Sequence, residues 1–205
     1  HVAGIMFSSN ATFRGVAFGA DSGMNLKAAY YRTDGGASSA ESDVRAALDW
    51  AQAQAEEPEV VNYSYGSETA DDDDELSQFF DAFIESQYCT ATIAAGNSGS
   101  GASTVESPSL AYNCLSVANM DDVDTATRTD DVIRGSSSRG PTDGGRRKPD
   151  ITAPGTDIWS TNYQWESSGD FIEKSGTSMA APQVAGAALL LNDVGVLDTR
   201  AVKAV

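Results

Sequence analysis

The sequence predicts an α/β fold, a mainly parallel sheet with helices on both faces. Strand-like and helix-like runs alternate along the 205 residues, the order that builds parallel sheets through helical crossovers. Two strand runs close on Gly66 and on the Gly96-Asn97 pair. Ligands of such sheets bind beyond the carboxyl ends of the strands. Near the end of the chain stands one long apolar helix candidate, residues 178–192.

Taken in order, residues 1–7 read as the tail of a small-residue helix, and 26–31 as a short strand. Residues 41–54 carry helical spacing through Val44, Ala47, Leu48 and Ala51, with Ser39 or Ser42 as caps. Residues 59–64 form a strand that stops at Gly66. Residues 75–86 form a helix whose inner face is Leu76, Phe79, Phe80 and Phe83. Strands follow at 90–95 and 114–118. Pro182 falls near the start of the last helix, where a proline loses no helix bond if it lies in the first turn.

The length suits one domain with a substantial core. Thirty acidic residues against thirteen basic ones give a net charge of -17. Phosphate backbones would be repelled, which argues against nucleic acid as a partner. No apolar run is long enough to span a bilayer. Lysine occurs only at 27, 148, 174 and 203. Abundant Asp with scarce Lys is the pattern of a protein held soluble in concentrated salt; an ordinary acidic secreted protein is the alternative. Cys89 and Cys114 each open an apolar run. Without a Cys-x-x-Cys or Cys/His cluster they do not suggest zinc. A disulfide and two buried thiols remain equal alternatives. The acidic run 71–75 lacks the spaced pattern of a calcium loop. It reads as a solvated loop whose last acids favour the following helix N-terminus, with calcium kept only as a candidate structural ion.

Ser178 stands at the mouth of the apolar helix, after Gly176-Thr177. There the outward N–H groups and the helix dipole favour a developing oxyanion beside a hydroxyl nucleophile. An N-capping Ser or Thr is the plainer alternative.

Several further segments occur in a telling order. The chain opens His1-Val2-Ala3-Gly4. Ala94-Ala95-Gly96-Asn97-Ser98-Gly99 follows, then Ser137-Ser138-Arg139-Gly140-Pro141-Thr142, Lys148-Pro149-Asp150-Ile151 and Ala153-Pro154-Gly155. Ser175-Gly176-Thr177-Ser178-Met179-Ala180-Ala181-Pro182 comes last. Together they resemble the subtilisin-like serine peptidases, the subtilase family, from residue 1 to about 191. The resemblance implies a three-layer subtilisin-like fold. Residues 1–205 would then be a partial catalytic domain whose N-terminal part is missing. It implies a serine endopeptidase acting on polypeptides through an acyl-enzyme on Ser178. The Ser178 N–H and the Asn97 side chain would be the oxyanion donors, with Thr177 a weaker one. Ser64-Tyr65-Gly66 and Ala94-Ala95-Gly96 would wall the substrate cleft.

The family's catalytic histidine opens His-Gly-Thr-His-Val-Ala-Gly. His1 matches the second histidine of that run, so the base and its aspartate would lie upstream, and the chain alone would be inactive. An upstream segment or propeptide is an implied partner, a secreted setting is implied, and no catalytic metal is. A non-catalytic subtilase-like binding or structural module is the competing class. Thr104-Val105-Glu106-Ser107-Pro108 resembles the segment that floors the S1 pocket, often with a cis peptide before its proline. Glu106 at that floor would attract Lys or Arg at P1; a glutamate turned out to solvent would not.

Overall fold

A computed structural model describes residues 1–19, 41–55, 58–67, 71–195 and 202–203; the strand expected over 26–31 lies outside them. Along the chain run α1 (Val2–Phe7), α2 (Glu41–Gln52), β1 (Val60–Tyr63), α3 (Glu75–Gln87), β2 (Thr90–Ala94), β3 (Leu115–Asp121), β4 (Val132–Ile133), β5 (Ile151–Pro154), β6 (Ile158–Thr161), α4 (Trp165–Ser168), β7 (Phe171–Lys174) and α5 (Thr177–Asp193). In the main sheet β1, β2, β3 and β5 are parallel, while β4 pairs antiparallel with the end of β3. β6 and β7 form a separate antiparallel pair.

Side-chain alternation explains why helices cover both faces. On β2, Ala91 and Ile93 join Tyr63 of β1, Val44 and Leu48 of α2, and Phe80, Phe83 and Ile84 of α3 in one core. The next residue, Ala94, points the other way and packs with Val117, Ala153, Ala180 and Ala181 under α5. Because α5 touches β1, β2, β3, β5 and α1, it needs a surface of small residues. Its alanines supply one, and they let the helix lie close to the strands.

The acidic run departs from the solvated loop expected of it. Asp74 is the N-cap of α3 and accepts from the Ser77 N–H at 3.0 Å. Asp72 is largely buried. It accepts from Thr142 Oγ1 and the Gly144 N–H, both at 2.8 Å, and pairs with Arg146. Burial by itself would raise the Asp72 pKa. The donors from Thr142 and Gly144 and the Arg146 charge outweigh it and hold the group below its ordinary range. The loop expectation fails at Asp72 because its partners lie seventy residues away in sequence, out of reach of any local pattern. The expected helix-start role does hold at Asp74. Among the described residues no group of three or more His, Cys, Asp or Glu side chains is placed to hold a metal ion.

Cys89 and Cys114 immediately precede the parallel neighbours β2 and β3, and both are buried free thiols. Burial pushes Cys89 up from 9.0 to about 12 and raises Cys114 as well. Neither thiol should react with iodoacetamide in the native state, and both should react in denaturant. Since the folded pKa is the higher one, this stabilising contribution is complete below pH 9.0 and is lost as pH rises towards about 12. Rapid native alkylation would contradict the packing.

Candidate active site

Gly176 opens α5 with φ 149°, a conformation that favours glycine. Thr177 and Ser178 are then the first two helical residues. The Thr177 N–H donates to Asn97 Oδ1 at 3.1 Å, and Thr177 Oγ1 donates to the same oxygen at 3.2 Å. Two donors on Oδ1 fix which way the amide turns. They leave Asn97 Nδ2 without an acceptor among the described residues, on the exposed side of the loop. Ser178's own N–H, a first-turn donor, is also unpaired among them. Two N–H donors beside a serine hydroxyl are what a tetrahedral oxyanion requires.

Thr177 differs from its expected role. It is fully buried; its hydroxyl gives its proton to Asn97 and receives the Gly96 N–H at 3.3 Å. That proton is not available to an oxyanion, so Thr177 orients Asn97 instead of donating.

Pro182 also behaves otherwise than expected. It is the sixth helical residue, past the first turn, and its missing N–H would have bonded the Ser178 carbonyl. Ser64 Oγ donates to that carbonyl instead, at 3.0 Å. In return, Ser178 Oγ donates to the Ser64 carbonyl at 3.0 Å. A polar chain continues behind Ser64: Asn62 Nδ2 donates to Ser64 Oγ at 2.9 Å, and Thr92 Oγ1 donates to Asn62 Oδ1 at 3.1 Å. Asn62 and Thr92 are opposite each other in the β1–β2 register. Neither was singled out from sequence. Two polar residues on strands that otherwise face an apolar helix were the available signal.

No base reaches Ser178 among the described residues. His1, the sole histidine, has its Nε2 within hydrogen-bond distance of the Ile158 and Ile172 carbonyls, at 3.1 and 3.0 Å. Facing two acceptors, that nitrogen must carry a proton. The histidine therefore ties α1 to the β6–β7 pair and is not a general base.

Ser64, Tyr65 and Gly66 extend beyond the carboxyl end of β1, and Ala95, Gly96 and Asn97 beyond that of β2, with Ala94 as its last residue. The two segments are not equivalent. The Ala95 carbonyl accepts from the Glu106 N–H, and the Gly96 carbonyl accepts from the Ser138 N–H. With those groups engaged, 94–96 can serve as a wall and not as a strand that pairs with substrate. Tyr65 is partly exposed and meets Tyr63 edge-on.

Glu106 is not turned out to solvent. Its Oε1 accepts from the Asn97 N–H at 2.9 Å and from Ser98 Oγ at 2.8 Å. A Cβ placed on Gly66 would come within 2.9 Å of Oε2, and one on Gly96 within 2.3 Å of Cδ. The side chain thus occupies the space between the two glycines. The Ser107–Pro108 peptide is cis.

Comparison with known proteins bears on the family and the fold. The profile of the subtilase family matches residues 1–205. Serine protease AprX of Bacillus subtilis is 41% identical over 113 residues, covering 48% of this chain and 25% of that protein. Pyrolysin of Pyrococcus furiosus is 32% identical over 155 residues, covering 65% of this chain and 11% of that protein. Among solved structures, sphericase superposes with a TM-score of 0.76 at 27% identity, over all of this chain and 66% of its own. A cold-adapted subtilisin-like serine proteinase gives 0.72 at 28%, over all of this chain and 64% of its own. The chain thus spans a minor part of these curated relatives and just under two thirds of these solved structures.

Proposed function

The chain belongs to the subtilase family, and from that premise we propose that it is the nucleophile- and oxyanion-bearing part of a serine endopeptidase. The observation that carries this reading is the Asn97 amide, locked by Thr177 beside Ser178 with its N–H groups turned outward. In the proposed reaction Ser178 Oγ attacks a peptide carbonyl. The carbonyl oxygen becomes an oxyanion held by the Ser178 N–H and Asn97 Nδ2. Collapse expels the amine and leaves an acyl-enzyme that water hydrolyses. The serine proton must pass to a base and then to the leaving amine. That base would come from residues outside this chain, which alone would be inactive. The substrate backbone would pair along 64–66, opposite the 94–96 wall.

The test is cleavage of an unfolded protein by a longer polypeptide that includes the upstream residues. Activity that vanishes in Ser178→Ala supports the reading. Unaltered activity in that variant removes Ser178 from the chemistry. One observation favours a second reading, a module that binds peptides without cutting them: the Ser178 hydroxyl spends its proton on the Ser64 carbonyl. Peptide binding by a longer polypeptide that never forms an acyl-enzyme would support that module.

A secreted protein of saline surroundings is part of the same proposal, supported by the net charge of -17. Surface carboxylates repel one another at low ionic strength, and screening relieves the repulsion. Tm should therefore rise between dilute buffer and about 1 M KCl, where the screening length falls to about 3 Å. A flat or falling Tm would count against it.

A further inference from the structure

Building on the endopeptidase reading, we infer that Ser64 and Asn62 are positioning residues: with Thr92 they form a hydrogen-bonded relay that sets Ser178 for attack from outside its own helix. In an unbroken helix the Ser178 carbonyl would be held by the N–H of residue 182. Pro182 has none, so the peptide unit that follows the nucleophile lacks its helical restraint. Ser64 Oγ supplies the missing donor at 3.0 Å. On the other side of the nucleophile, Asn97 Oδ1 holds the Thr177 N–H. Ser178 is thereby placed by the segments that follow β1 and β2, and not by the regularity of α5.

The relay runs in one direction. Thr92 Oγ1 donates to Asn62 Oδ1 at 3.1 Å, Asn62 Nδ2 to Ser64 Oγ at 2.9 Å, and Ser64 Oγ to the Ser178 carbonyl. Each side chain that accepts also donates to the next, an order in which hydrogen bonds polarise and strengthen one another. Thr92 is fully buried. Asn62 lies opposite it in the register, and Ser64, two residues on, shares that side of the sheet. The same side carries Ala94 and Val117, packed against Ala180 and Ala181 of α5. Apolar side chains would complete that layer with no polar group to satisfy; polar ones in series fix a direction. Ser64 bonds Ser178 twice. When a base takes the Ser178 proton, the bond from Ser178 Oγ to the Ser64 carbonyl is given up. The bond from Ser64 Oγ to the Ser178 carbonyl does not involve that proton, so it can hold the residue while its oxygen attacks.

Loss of that bond should misplace an oxygen that must approach the substrate carbonyl in one geometry, an error felt in turnover more than in affinity. In the longer polypeptide, Ser64→Ala should lower kcat about tenfold, the worth of one ordinary hydrogen bond. KM should stay nearly unchanged, because the backbone of 64–66 is intact. Ser64→Thr keeps a hydroxyl and should recover most of the loss. Asn62→Asp keeps the acceptor for Thr92 and presents no N–H to Ser64; its carboxylate would draw the Ser64 proton away from Ser178. It should lower kcat by itself and add nothing in the Ser64→Ala background, because Asn62 acts only through Ser64.

A second readout needs no catalysis. In this 205-residue chain, the chemical shift of the Ser178 carbonyl carbon, followed by NMR, should move upfield in Ser64→Ala and stay near its wild-type value in Ser64→Thr. A shift that does not move in Ser64→Ala, or a kcat that holds there, overturns the relay and leaves the endopeptidase reading standing. Additive losses from Asn62→Asp and Ser64→Ala at unchanged Tm also overturn it, since Asn62 would then act by another route. A loss confined to KM would make Ser64 a substrate contact instead of a positioning residue. If the shift moves as expected and the longer polypeptide never cleaves, the bond is real, the endopeptidase reading fails, and the positioning role fails with it.

Discussion

This 205-residue chain should stay unlabelled when incubated for minutes with a fluorophosphonate probe, whereas a longer polypeptide that brings a histidine to Ser178 should be labelled stoichiometrically at that residue. The contrast follows from where protons sit. Ser178 Oγ donates to the Ser64 carbonyl at 3.0 Å, an acceptor far too weak to remove the proton as the oxygen attacks. His1 is occupied by two carbonyls between β6 and β7. A serine without a base is a poor nucleophile near neutral pH. Removing the serine or the base costs about 10⁶ in kcat, a magnitude carried over from a subtilisin, a family relative, and not read from this geometry. Mass spectrometry of intact protein checks the result. Rapid adduct formation on this chain would mean that a group not identified here activates Ser178.

In the longer polypeptide, Asn97→Ala should lower kcat by about 10²–10³-fold and leave KM nearly unchanged; this size too was seen in a subtilisin. The split between the constants is the informative part. Asn97 Nδ2 meets no acceptor among the described residues, and in the proposed reaction it would meet a charge that exists only in the transition state, so its loss should appear in turnover. Alanine also removes Oδ1, the acceptor of both Thr177 donors. Asn97→Asp keeps that acceptor and supplies no N–H. A comparable kcat loss in both variants assigns the effect to the oxyanion donor. Retained turnover in Asn97→Asp would assign it to disturbance of the α5 N-terminus. A variant that loses affinity and keeps turnover would remove Asn97 from the chemistry.

By itself the sequence determined α1 to α3, β1 to β3 and α5 in order, the apolar character of α5 and the segments that carry Ser178 and Asn97, while β4 to β7 and α4 went unread. These are local properties. Alternation, helical periodicity and short motifs are set by neighbouring residues, so a linear reading finds them. It placed the last acids of the run 71–75 at a helix start for the same reason, and there Asp74 caps α3 through the Ser77 N–H.

Tertiary structure decided whatever depends on residues far apart in the chain. The acidic run is anchored because Thr142, Gly144 and Arg146 close on Asp72. The two cysteines are free thiols, a point the sequence left open. Thr177 became an orienting residue because Asn97, eighty positions earlier, takes its proton. Pro182 shows the limit most plainly. Its missing N–H is legible in the sequence, but the consequence required Ser64, which arrives on β1 to bond the carbonyl left open at Ser178. Glu106 is a surface type by composition. It became the charge between Gly66 and Gly96 because two parallel strands end side by side and leave, where neither glycine has a side chain, a space the carboxylate fills.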